Sequence, residues 1–261
     1  MADLADVLAD LAAEGAAIEA LVDRAPDWSL ATPAEGWTIS HQIGHLAWTD
    51  SVAHASALGG PAWDAVMETS MADPAGVVDT AAATWAERPD LREVWAAGRL
   101  ALGEALAATT TSKLPWFGPP MSPTSMATAR LMETWAHGQD VADTLGVTRE
   151  PTDRLRHVAH LGVRTRAFAY AVQGLQPPTD PVRVELTSPS GQSWVWGPDD
   201  APQRVTGPAL DFCLLVTQRR HRHDLALVAR GDDADLWLGI AQAFAGAPGA
   251  GRPPVSAGSR G

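Results

Sequence analysis

Apolar residues recur at helical spacing through the first two-thirds of the chain. Leu4, Val7, Leu8, Leu11, Ile18, Leu21 and Val22 draw one face of a first helix, which Pro26 ends. Pro33 to Trp37 form a turn. Thr38 or Ser40 then caps a second helix that runs to about Leu58 and breaks at Gly59-Gly60-Pro61. Shorter helices are predicted over 62–71 and 74–87, and a long one over about 90–108. Pro115-Trp116-Phe117-Gly118-Pro119-Pro120 cannot be helical and reads as an ordered loop. Ser122 or Thr124 caps the next helix, which reaches Leu145, and Thr152 caps another that reaches Gln173. The four main helices of a bundle are thus expected at about 5–25, 38–58, 90–108 and 123–145.

The period then changes from helical to two. Pro177-Pro178 and Pro181 mark a short, stiff linker. Val182, Val184 and Leu186 alternate with Arg183 and Glu185, a strand. Ser188 to Gly191 is a turn, and Ser193 to Trp196 is the return strand of a hairpin. A helix over about 208–219, a strand over 225–229 and a helix over 233–244 complete a small α+β region. The Gly-, Pro-, Ser- and Ala-rich end is expected to be loosely attached. The predicted fold is mainly α with a smaller α+β part: a bundle over 1–175, an α+β domain over 176–246 and a flexible tail over 247–261. The two domains are expected to bury a shared face.

Composition narrows the function. The 261 residues carry 19 basic and 31 acidic side chains, a net charge of −12, and Lys113 is the only lysine. That balance argues against nucleic acid, which requires a basic face to displace counterions, and against an anionic membrane. No stretch reaches the roughly 18 apolar residues of a membrane span, and the first residues are acidic rather than signal-like. A cytoplasmic protein with a small-molecule substrate, monomeric or homodimeric, is expected. Cys213 is the single cysteine, which excludes an intrachain disulfide or a multi-cysteine metal site. Eleven tryptophans against one tyrosine is an unusual ratio, and most of the rings are expected to fill the core.

Candidate chemistry lies in two segments. Glu133 and His137 are four residues apart on a predicted helix and project from one face, where they can share a divalent ion. His45, on the second helix, is a natural third ligand, although His41 and His45 on one helix face are a competing pair. A His-His-Glu set leaves coordination positions open, as catalytic sites do. Asp140, three residues after His137, is placed to orient its imidazole. His54, His221 and His223 read as surface or capping residues. His157, His160 and Arg164 share one side of their helix, which reads as a solvated face.

The two segments resemble the DinB-like superfamily of metal-binding four-helix bundles, and within it the mycothiol-dependent maleylpyruvate isomerase family. The resemblance rests on Trp37-Thr38 leading to His45-Leu46 and on Glu133, His137 and Asp140. It extends through Arg183-Val184-Glu185-Leu186, Trp194-Val195-Trp196-Gly197 and Val205 to Asp211, which resemble that family's small sterol-carrier-like α+β domain. Shared runs at 157–162 and 242–246 point to a metal-binding branch of the family. The resemblance implies zinc held by His45, Glu133 and His137, facing a cleft between the domains, with mycothiol as the thiol cofactor. It also implies that Arg219 or Arg220 contributes to thiol or substrate binding. The expected activity is a thiol-dependent isomerase or S-transferase. The alternatives are a metal-dependent hydrolase, lyase or cyclase of small-molecule metabolism, or a metal-binding module without turnover. His41 is the one general acid or base near the ligands in sequence. Trp48 is expected to line the site, Trp135 to be buried in the bundle, and the Trp116–Phe117 loop to form a wall or lid.

Overall fold

The computed structural model describes residues 3–74, 76–246, 249 and 251–255. The chain divides into two compact units, Met1–Arg149 and Glu150–Gly261.

The first unit is helical: α1 (Leu4–Val22), α2 (Ile39–Leu58), α3 (Gly60–Ala72), α4 (Val77–Ala86), α5 (Leu91–Ala108) and α6 (Pro123–Thr144). The long helices α1, α2, α5 and α6 are the four expected from apolar spacing. Thr38 caps α2 with a reciprocal box, its hydroxyl accepting from the His41 N–H while the His41 ring accepts from the Thr38 N–H. Ser122 caps α6 by accepting from the Ser125 N–H, and Pro123 follows at the first helical position, where its missing N–H costs nothing. Of the expected 74–87 helix, residue 75 lies outside the described residues and α4 occupies Val77–Ala86.

Two apolar clusters fill the bundle. One joins Ile18, Ile43, Leu46, Trp95 and Val141. The other joins Val7, Ala53, Leu102, Leu106 and Met126 towards the far end. At Gly44 helices α2 and α4 come so close that a Cβ would meet the Ala82 carbonyl oxygen at 2.7 Å and the Ala86 nitrogen at 2.9 Å. No helix among the described residues is long and apolar enough to cross a membrane.

The second unit contains α7 (Leu155–Arg164), α8 (Arg166–Val172), β1 (Val182–Thr187), β2 (Ser193–Trp196), β3 (Gln203–Pro208), α9 (Ala209–Val216), β4 (Val228–Arg230) and α10 (Asp232–Ile240). The sheet order is β2-β1-β3-β4. β1 pairs antiparallel with β2, as the hairpin reading requires, and parallel with β3. Val184 and Leu186 point into the core while Arg183 and Glu185 lie outward, the alternation seen in the sequence. α9 is almost wholly buried, and α7 packs against it through Gly162, which leaves room for Val216 and Phe212.

Several expectations change here. The boundary falls after residue 149 rather than 175, because α7 and α8 pack with the sheet unit. The single helix expected over 152–173 is two, broken at Thr165, whose φ of −88° and ψ of 7° leave the helical region while its hydroxyl donates to the Leu161 and Gly162 carbonyls. The backbone of Arg154, not Thr152, precedes α7, with no side-chain cap. β3 was not anticipated, and the last helix ends at Ile240 because Ala243 donates its N–H to the Val216 carbonyl instead of continuing the helix. Of the 247–261 tail, residues 249 and 251–255 are without regular structure and the rest lies outside the described residues.

Candidate metal centre

His45 sits in the second turn of α2. Glu133 and His137 sit one turn apart on α6. The helices run antiparallel and bring the three together. The Glu133 Oε2 atom is 3.4 Å from His45 Nε2 and 3.2 Å from His137 Nε2. One donor atom from each residue lies within 4.8 Å of the other two. Tetrahedral ligands held about 2.0–2.2 Å from a zinc ion lie about 3.3–3.5 Å from one another. The two measured separations fall close to that spacing, so the residues fit the group.

Hydrogen bonding fixes the chemistry of His137. Thr32 donates its hydroxyl to the Trp37 carbonyl, 2.9 Å away, and so must accept from the Gln42 amide at 2.9 Å. That orients Gln42 with its oxygen towards His137 Nδ1, on which it accepts a short bond. His137 therefore carries its proton on Nδ1 and offers the Nε2 lone pair to the Glu133 side. A lone pair and a carboxylate facing one another call for a cation between them. Burial, the strongest influence on Glu133, pushes its carboxyl up. With protons on the two Nε2 atoms in place of that cation, the hydrogen bonds and charge of His137 and His45 outweigh it and hold the group well below the usual carboxylate range. His45 Nδ1 is buried without a partner.

Gln42, three residues before His45 on the same face of α2, takes part in orienting His137. Nothing but that spacing distinguishes it in the sequence. His41 stands apart from the three donors. Its Nδ1 lies 2.8 Å from the Thr38 hydroxyl, in the helix cap.

The aromatic wall is Trp37. Its ring is stacked on His137, with centroids 5.9 Å apart and planes 19° from parallel, and lies 5.3 Å from the His45 ring. Its indole N–H donates to Asp79 of α4 at 3.1 Å. Trp48 lies 6.2 Å from His45, on the side expected for it. Trp135 is buried under Arg149, as expected. The Trp116–Phe117 loop is not the lid foreseen. Both rings pack on Trp63, where Ser56 donates to the Pro115 carbonyl. Eleven residues of helix, about 16 Å, separate Ser56 from His45.

Arg219 and Arg220 belong to the second unit, in the turn after α9. They donate to the carbonyls of Thr217 and Arg219. His221 accepts from the His223 N–H and caps a 3-10 turn, as its reading as a capping residue required. On α7, His160 Nδ1 accepts the indole N–H of Trp196 at 3.1 Å.

A mainly helical chain, four long helices in a bundle with a small α+β unit after it, has the DinB-like fold. Residues 8–142 match the model of the mycothiol maleylpyruvate isomerase N-terminal domain, and the chain belongs to that family. Residues 178–230 match the model for wyosine base formation. A Mycobacterium tuberculosis protein, Rv0036c, described only as uncharacterised, is 55% identical over 257 residues, covering 97% of this chain and all of its own length. MT0041, from another strain of that organism, matches equally. Among solved structures, a histidine-to-alanine mutant of the mycothiol-dependent maleylpyruvate isomerase superposes with a TM-score of 0.59 at 17% identity. It covers 87% of this chain and 93% of the isomerase. The unmutated isomerase gives a TM-score of 0.56 at 17% identity, over 84% of this chain and 90% of that one. At that identity the likeness establishes the fold.

Proposed function

We propose that the protein is a cytoplasmic, zinc-dependent enzyme that uses a thiol, mycothiol, to isomerise a small unsaturated molecule or to transfer sulfur to it. The observation that carries this reading is the convergence of His45, Glu133 and His137, with one donor atom of each within 4.8 Å of the other two. A divalent ion bound there supplies a Lewis acid that makes thiolate from a thiol at neutral pH.

The chain's own residues prepare the site. Gln42 holds His137 in the tautomer that offers Nε2. Trp37 shields the imidazoles from water on one side, which strengthens every charge interaction beside it. His41, one turn before His45 with Nδ1 engaged by Thr38, keeps Nε2 as the nearby proton carrier. Arg219 or Arg220 is the cationic contact for the thiol or substrate. The named activity of the solved isomerases supports this choice of reaction.

The test has two parts. Elemental analysis of the purified protein is expected to give one zinc per chain, and His137→Ala is expected to lose it. Full metal content in that variant refutes the ligand assignment. Mycothiol is then titrated into the zinc-loaded protein by calorimetry, followed by maleylpyruvate turnover. Metal without thiol binding refutes the thiol reading and leaves a hydrolase, lyase or binding module on the same site.

A further inference from the structure

The ligands come from two helices, so the site exists only if α2 and α6 keep one register. Apolar packing is non-directional and tolerates sliding. α2 moreover packs more extensively on α4 and α5 than on α6. Directional contacts across the α2–α6 seam stand on both sides of the ligands. On one side Gln42 meets His137. On the other, Asp50 meets Arg130, with Nε donating to Oδ1 at 2.9 Å. Gln42 and Asp50 are eight residues apart, about 12 Å of helix, with His45 between them. Arg130 is three residues before Glu133, on the same face of α6.

The Asp50–Arg130 pair is poorly built for stability. Both side chains are 3% exposed. Only one oxygen and one nitrogen meet, and Asp50 Oδ2 and Arg130 Nη2 are buried without partners. Desolvating two charges for an incomplete fork is often no better than burying apolar residues of similar volume. The best-attested use of such a pair is to fix one register among several.

We infer that Asp50 and Arg130 are positioning residues for the metal centre, a clamp that holds the helix bearing His45 level with the helix bearing Glu133 and His137. The inference rests on the metal reading above. Neither residue touches the ion. Both act through the spacing of the ligands.

The experiment replaces both members at once with apolar residues, Asp50→Leu with Arg130→Met, and measures melting temperature and zinc affinity by chelator competition. The double variant is expected to melt at or near the wild-type temperature and to bind zinc about 10–100-fold more weakly, the range for losing an outer partner of a metal site. Arg130→Lys keeps charge and fold but moves the donor, and it is expected to weaken zinc binding in the same direction. Arg92→Ala breaks an exposed pair with Asp23 elsewhere on the bundle and is expected to leave zinc affinity unchanged. Wild-type affinity in Arg130→Lys, or in a folded double variant, overturns the clamp while leaving the metal reading intact. A wild-type protein that binds no zinc overturns the metal reading and the clamp with it.

Discussion

The indole of Trp37 is stacked on the imidazole of His137, 19° from parallel, with centroids 5.9 Å apart. A ring in that position reports on whatever the imidazole binds. Cobalt(II) or copper(II), added to metal-free protein, is therefore expected to quench Trp37 emission. The wild type should lose more fluorescence than Trp37→Phe at equal metal occupancy. Equal losses in the two proteins place the bound ion elsewhere.

Gln42 should matter more than its neutral side chain implies. Gln42→Leu removes the acceptor that fixes the His137 tautomer and leaves Thr32 without its donor. Zinc affinity is expected to fall by about 10–100-fold, measured by chelator competition, with little change in helix content. Wild-type affinity in that variant shows that Gln42 is not the group that orients His137.

Glycines in the bundle should respond with opposite signs. Gly44→Ala drives a methyl into the backbone of α4 at Ala82 and Ala86. It is expected to destabilise the protein by about 1–3 kcal/mol in urea unfolding, the usual cost of overpacking. Gly98→Ala on α5 meets nothing within 4 Å. It should stabilise by about 0.5–1 kcal/mol through helix propensity. A neutral Gly44→Ala shows that α2 and α4 can part without cost.

Much of this was legible in the sequence, for local reasons. Apolar spacing located α1, α2, α5 and α6, and hydroxyl residues before α2 and α6 narrowed their caps to Thr38 or Ser40 and to Ser122 or Thr124, of which Thr38 and Ser122 serve. The i,i+4 pair of Glu133 and His137 could be read because both residues lie on one helix. What was missed depends on contacts between distant segments. β3 reads Gln-Arg-Val-Thr-Gly-Pro, with one buried apolar residue, Val205, and becomes a strand because β1 offers it a parallel edge. Nearness in sequence to α6 points Trp116 to the site, whereas the loop joins that helix nearly three turns before Glu133 and its rings pack on Trp63. The break at Thr165 is a turn of the backbone at a single residue, which periodicity does not register.

His160 gives the protein a defined response to acid. Its pKa is lowered below the ordinary 6.5 by loss of water around the ring and then by the positive charges of Arg164, His157 and Arg156. The Trp196 N–H on Nδ1 also favours the neutral ring. A histidine lowered in the folded state contributes stability above its unfolded pKa and loses it as pH falls through the folded value. The His160 ring proton is expected to titrate below pH 6.5 by NMR, and Trp196→Phe should move that midpoint upward. A wild-type midpoint at or above 6.5 contradicts this account.

Cys213 is expected to be chemically silent in the native protein. It is fully buried on α9, and burial pushes its thiol far above the range where thiolate forms. Ellman's reagent should titrate no thiol before unfolding and one afterwards. Rapid native labelling shows that the second unit opens under native conditions.

His45 and Glu133 are 88 positions apart in sequence. At about 5–20 residues per second, a ribosome takes roughly 4–18 s to travel from one to the other. Throughout that interval the emerging chain presents only one of the three donors of the cluster, His45, a weak and unselective ligand for any cation in the cell. The full donor set appears only after α6 has left the exit tunnel and docked on α2. On the metal reading proposed above, choice of ion is thus deferred to a finished bundle, where spacing, rather than whichever metal arrives first, decides what is retained.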